Sequence, residues 1–170
     1  MTNSIPEYWL KGPIDGIPAV LQPAAHALLQ TRVEARTYTQ SFDENLLWKM
    51  PNGRASVGFH LQHIAGVIDR MLTYADQKAL SKAQFDYLDQ EGNPNPDIKL
   101  DDLLIKLETK IDEALLYLKA IDSESVTSYR SVGRKELPST LIGVLFHAAE
   151  HSQRHIGQLL VTVSTKKMNN

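Results

Sequence analysis

Apolar residues recur along most of this chain at three- and four-residue intervals, the period of a helix with one buried face. Leu21, Ala24, Ala25, Leu28 and Leu29 mark a first helix running to about Ser41. Pro18 and Pro23 suit its entry, since a proline in the first turn has no helical hydrogen bond to lose. The stretch Phe42 to Arg54 holds Pro51-Asn52-Gly53, a strong breaker. Ser56 then reads as a cap or first-turn residue of a second helix, with Val57, Leu61, Ile64, Ile68, Met71 and Leu72 on its stripe to about Asp76.

Between residues 81 and 102 the pattern breaks down. Asp86, Asp89, Glu91, Asp97, Asp101 and Asp102 stand against Lys82 and Lys99, and Gly92-Asn93-Pro94-Asn95-Pro96 cannot be helical. A third helix follows from about Leu100 to Ala120, carried by Leu103, Leu104, Leu107, Ile111, Leu115 and Leu118. A loop from Ile121 to Leu137 contains Gly133, and Pro138 reads as a first-turn residue of a last helix ending near Ser164. No convincing alternating strand is visible. The pattern predicts an all-α fold, a four-helix bundle with a long middle connection, in one domain over 1–170 with its core at about 20–164.

Composition narrows the chemistry. The chain has 170 residues, enough for one core, and no cysteine, which removes disulfides, thiolate metal sites and cysteine nucleophiles. Lys and Arg number 18 against 20 Asp and Glu, so a net charge of −2 gives no electrostatic case for nucleic acid. Arg130, Arg134 and Lys135 are offset by Glu124 and Glu136. No apolar run reaches the roughly 18 residues that would span a bilayer. The start, Met1-Thr-Asn-Ser-Ile-Pro, lacks the pattern of a signal peptide, so a cytoplasmic location is expected, with no membrane partner. Lys166 to Asn170 is expected to fray. Tyr8 and Trp9 are expected to pack across the bundle or cap a pocket, and Trp48 to cover the corner between the first two helices.

The histidines carry the clearest chemical signal. Five of the six fall in two short stretches, His60 with His63, and His147 with His151 and His155. His151 and His155 differ by only about 40° around a helix and about 6 Å along it, close enough for both imidazoles to reach one metal ion. They flank the stripe of Leu141, Val144, Leu145, Ala148 and Leu159 and therefore point inward. A third ligand must come from the second helix. His60 lies about 60° from the centre of the stripe set by Val57, Leu61 and Ile68 and His63 about 120°, so periodicity slightly prefers His60 and leaves both open.

The segments His147-Ala-Ala-Glu-His151-Ser-Gln-Arg-His155-Ile-Gly-Gln158 and Phe59-His-Leu-Gln-His63-Ile-Ala resemble the DinB-like (YfiT-like) metalloenzyme superfamily. The resemblance implies an up-down-down-up four-helix bundle holding a divalent metal, commonly nickel or zinc, with manganese as a further candidate. Carried over by position, it implies His63, His151 and His155 as ligands, with His60 the runner-up. Three neutral imidazoles leave coordination positions for water or substrate, the mark of an open site. The implied activity is metal-dependent hydrolysis, or transfer that borrows a low-molecular-weight thiol, in bacterial stress and detoxification chemistry. The substrate is a small molecule of unknown identity. The rival is a non-enzymatic metal-binding protein acting through a homodimer or another partner.

Around the ligands, His147 and Gln158 are candidates to support an imidazole. Glu150 is a candidate acid/base, against the blander reading of a solvated carboxylate. Arg70, two turns after His63, is a candidate anion holder, against the blander reading of a surface ion pair.

Overall fold

The computed structural model describes residues 6–167. Five α-helices and a short hairpin follow one another: α1 (Gln22–Thr39), α2 (Val57–Ala75), α3 (Lys82–Gln90), α4 (Leu100–Lys119), β1 (Tyr129–Val132), β2 (Leu137–Thr140) and α5 (Leu141–Lys167). Helix α1 packs on α4 and α5, and α2 packs on the same two. The four long helices thereby enclose one core, built from the apolar stripes that the periodicity marks out. Leu28, Leu61, Ile64, Ile68, Leu107, Ile111 and Leu159 are all essentially sealed from solvent.

Polar contacts reveal the directions of the helices. Lys110 pairs with Asp69 and Tyr117 with Asp76, so α2 and α4 ascend together. His63 faces His151 while His60 faces His155, so α5 runs opposite to α2. Arg36 bonds both Asp101 and Glu108, and Arg32 bonds Asp112, which sets α1 opposite to α4.

Local chemistry explains most boundaries. Ser56 caps α2 through its side chain, accepting from the Phe59 N–H at 3.1 Å. The Asp102 carboxylate accepts from Lys99 N–H and Glu44 from Leu100 N–H, which together start α4. Trp48, in the connection between α1 and α2, is half-buried against the core over the first turn of α2, with its indole N–H donating to Asn95 O. Gly58 is required beneath it, since a Cβ there would run into the indole ring.

Three expectations need correction. The connection over 81–102 contains α3, whose start is a reciprocal capping box: Ser81 Oγ accepts from Gln84 N–H and Gln84 Oε1 from Ser81 N–H. The reading of no strand fails at β1 and β2, which pair antiparallel from Tyr129↔Thr140 to Val132↔Leu137. Pro138 lies in β2 opposite Ser131, not in a helix; a two-stranded sheet has only edges, where a missing N–H is tolerated. Thr140 instead starts α5, its hydroxyl accepting from Gly143 N–H. Arg130 is buried and donates to Ala75 O at 2.5 Å, tying the hairpin to the end of α2. The expected fraying at the C-terminus falls, for 168–170, outside the described residues, as does the start at 1–5.

Candidate metal centre

Two antiparallel helices bring the histidines together. One ring nitrogen each from His63, His151 and His155 lies within 4.8 Å of the other two. The Nε2 atoms of His63 and His151 face each other at 3.0 Å. His155 also places its Nδ1 3.1 Å from His60 Nδ1. His60 is fully buried against the His155 ring, with Thr162 Oγ1 3.5 Å from its Nε2. Periodicity slightly prefers His60 as the third ligand; His60 is the more deeply buried of the two, but it is His63 that lies with His151 and His155.

His60, His151 and His155 are neutral at pH 7. Burial, reinforced by the neighbouring His63, pushes His60 down to about 4. Burial and then His63 push His151 down to about 4, and His155 goes down to about 3 for the same reasons. Neutral imidazoles keep a lone pair available for a metal. The His151 Nδ1 atom is buried without a hydrogen-bond partner. Three converging nitrogens, one of them on a ring with an orphaned second nitrogen, fit a divalent ion better than a set of mutual hydrogen bonds. A protein-only arrangement leaves His151 Nδ1 unsatisfied. The donor set is all imidazole, suited to zinc, nickel or related ions.

The residues around the trio divide sharply. Arg70 is buried and not at the surface, so the surface ion-pair reading is wrong: its guanidinium donates to Glu91 Oε1 at 2.6 Å. The second oxygen of Glu91 lies 2.5 Å from His63 Nδ1, and this carboxylate is only 3% exposed. Glu150 bonds Arg154 one turn later on α5, half-buried, with His147 Nδ1 at 3.7 Å. His147, Glu150 and His151 form a second, more exposed group with ligand atoms in reach of one another. Gln158 is exposed and, among the described residues, hydrogen-bonds none of the imidazoles. Tyr8 N–H bonds Gln30 on α1, and Trp9 is largely exposed, so this segment rides on α1. Glu91 is the residue that sequence reasoning missed. It sat among six acidic residues of a polar connection, and nothing in the spacing singled it out.

Among the described residues no helix is long and apolar enough to cross a membrane. A comparison with curated proteins finds no match. A family model described as the DinB superfamily matches residues 25–159, from the first turn of α1 to beyond both histidine clusters. The matched span covers most of the chain and includes every residue of the trio, and the chain belongs to the DinB superfamily.

Proposed function

We propose that this protein is a metal-dependent enzyme acting on a small molecule, with His63, His151 and His155 holding one divalent ion, nickel or zinc. The observation that carries this reading is the convergence of three imidazole nitrogens within 4.8 Å, with no carboxylate or thiolate among them. A donor set of three leaves room for substrate, and a bound ion supplies Lewis acidity that activates a water or a thiol near neutral pH. With no cysteine in the chain, a transfer reaction would take its thiol from a low-molecular-weight donor.

The residues of the chain have distinct parts in this reading. The four long helices act as a single-domain bundle, up-down-down-up, that keeps the imidazoles at fixed separation. Burial strips protons from His151 and His155 and keeps their lone pairs free. Glu150 is the carboxylate placed to exchange a proton at the rim, where Arg154 and His147 flank it. Arg70 pairs through Nη1 with Glu91. Ester, amide and thiol-transfer substrates should be screened before and after chelation. Activity that vanishes on chelation, returns with nickel, zinc or manganese, and is lost in His155→Ala with helical circular dichroism intact supports the proposal. Activity surviving both treatments removes the metal from the chemistry and leaves a binding role in front.

A further inference from the structure

We infer that Glu91 is a positioning residue of the three-histidine centre: it holds His63 as the Nδ1–H tautomer and aims its Nε2 lone pair at His151 and His155. The inference rests on the metal-site reading above and adds a residue, and a whole segment of chain, to that site. A carboxylate oxygen can only accept here, so the 2.5 Å contact requires the proton on His63 Nδ1. In the neutral ring, the form that binds a metal, Nε2 is then the bare nitrogen, and it is the atom facing His151. A carboxylate hydrogen-bonded to a ligating imidazole fixes its ring and strengthens it as a donor.

Three further observations show that the carboxylate is held in place. Arg70 donates to its other oxygen at 2.6 Å, so both oxygens are engaged. The backbone that carries it is pinned to α2: Gln62 Oε1 accepts from Gly92 N–H at 2.8 Å, and the Tyr87 hydroxyl donates to Gln62 O. Gly92 sits at φ +84° with Phe59 against it, and Phe59 stacks on the His63 ring at 5.1 Å. Lastly, Gly66 opens the space the pair occupies. A Cβ there would collide with Glu91 Oε1, Arg70 Nη1 and the Tyr87 ring. Glycine inside a helix costs about 1 kcal/mol relative to alanine, and Gly66 has no left-handed φ to excuse it. The close approach of α3 and its turn is the reason for it. Gln62, His63, Gly66 and Arg70 form one face of α2, and the segment from Tyr87 to Gly92 is the strap across it.

The test uses the full chain, with Zn²⁺ as the probe, in a competition titration against a chromogenic chelator. Long-range ¹H–¹⁵N NMR of the metal-free protein reads the tautomer. His63 should stand as Nδ1–H in the wild type and as a mixture in Glu91→Ala, where zinc affinity should fall about 10- to 100-fold. Gly66→Ala touches no imidazole yet should lower affinity in the same direction, because the colliding atoms are side-chain ends that can swing away. Glu91→Gln preserves the buried shape and should fall between. It and Gly66→Ala keep the test decisive if Glu91→Ala fails to fold with Arg70 left unpaired. A merely structural Glu91 would leave the tautomer unchanged in every folded variant. Wild-type zinc affinity in all three, with affinity lost in His63→Ala, overturns the positioning role and leaves the metal site standing. Equal zinc binding by wild type and His63→Ala overturns both.

Discussion

Acidifying the metal-free protein should destabilise it through His60, and the size of the effect can be worked from its surroundings. His60 is 1% exposed, and burial lowers it from 6.5 to about 4. The unfolded chain takes up a proton below about pH 6.5, while the folded form refuses it until about pH 4. Stability is therefore full above 6.5, declines as the pH falls through this window, and flattens below it. The gap is worth about 3 kcal/mol at most, at about 1.4 kcal/mol per pH unit, and solvent reaching the opened site reduces it to about 1–3 kcal/mol. Urea unfolding in excess chelator at pH 7 and pH 4 measures the loss, and His60→Leu serves as the control. Carboxylates and the other histidines contribute to the loss in both proteins, so the difference between the two isolates His60. The wild type should lose about 1–3 kcal/mol more than the variant, a difference of about 0.5–1.5 M in urea midpoint. An identical loss in both would refute the reasoning.

Other outcomes follow from single contacts. Gly58→Ala should displace Trp48 and cost about 1–3 kcal/mol, read as a lower melting temperature with altered tryptophan fluorescence; an unchanged spectrum would contradict the packing. Arg130→Ala removes the donor to Ala75 O and should cost about 1–3 kcal/mol by urea titration, with protection lost first at the end of α2 in hydrogen exchange. Affinity for Zn²⁺ should fall most steeply below about pH 4, where protons begin to compete for His151 and His155, whereas affinity unchanged down to pH 2 would contradict imidazole ligands. Duplex DNA should not bind at physiological salt, given a net charge of −2 and Arg130 buried; micromolar binding with a steep salt slope would contradict this.

The four long helices were legible because each buries a stripe at helical period, and the stripe residues named from spacing are those that line the core, with Leu29, Leu72 and Leu115 at its margin. Helix α3 was hidden by its composition. It has no buried residue, and its amphipathic face is short, although Ser81-Lys-Ala-Gln84 carries the capping-box spacing that marks a start. The hairpin was hidden because its strands are four residues each and contain Pro138, which reads equally well as a helix entry. At the site, the His-x₃-His pair is a local signal, visible in one helix. The choice between His60 and His63 is not, because it depends on how α2 is rotated against α5. Glu91 is less legible still. Its contact with His63 spans 28 residues and depends on a turn packing back onto α2.

The central claim is that one divalent ion sits among His63, His151 and His155, and elemental analysis after metal loading and desalting tests it most directly. The wild type should carry about one nickel or zinc per chain. His63→Ala, His151→Ala and His155→Ala should each fall to near background, while His147→Ala keeps its metal. Full metal content in His63→Ala together with loss in His147→Ala would place the ion in the outer group of His147, Glu150 and His151 and contradict the account.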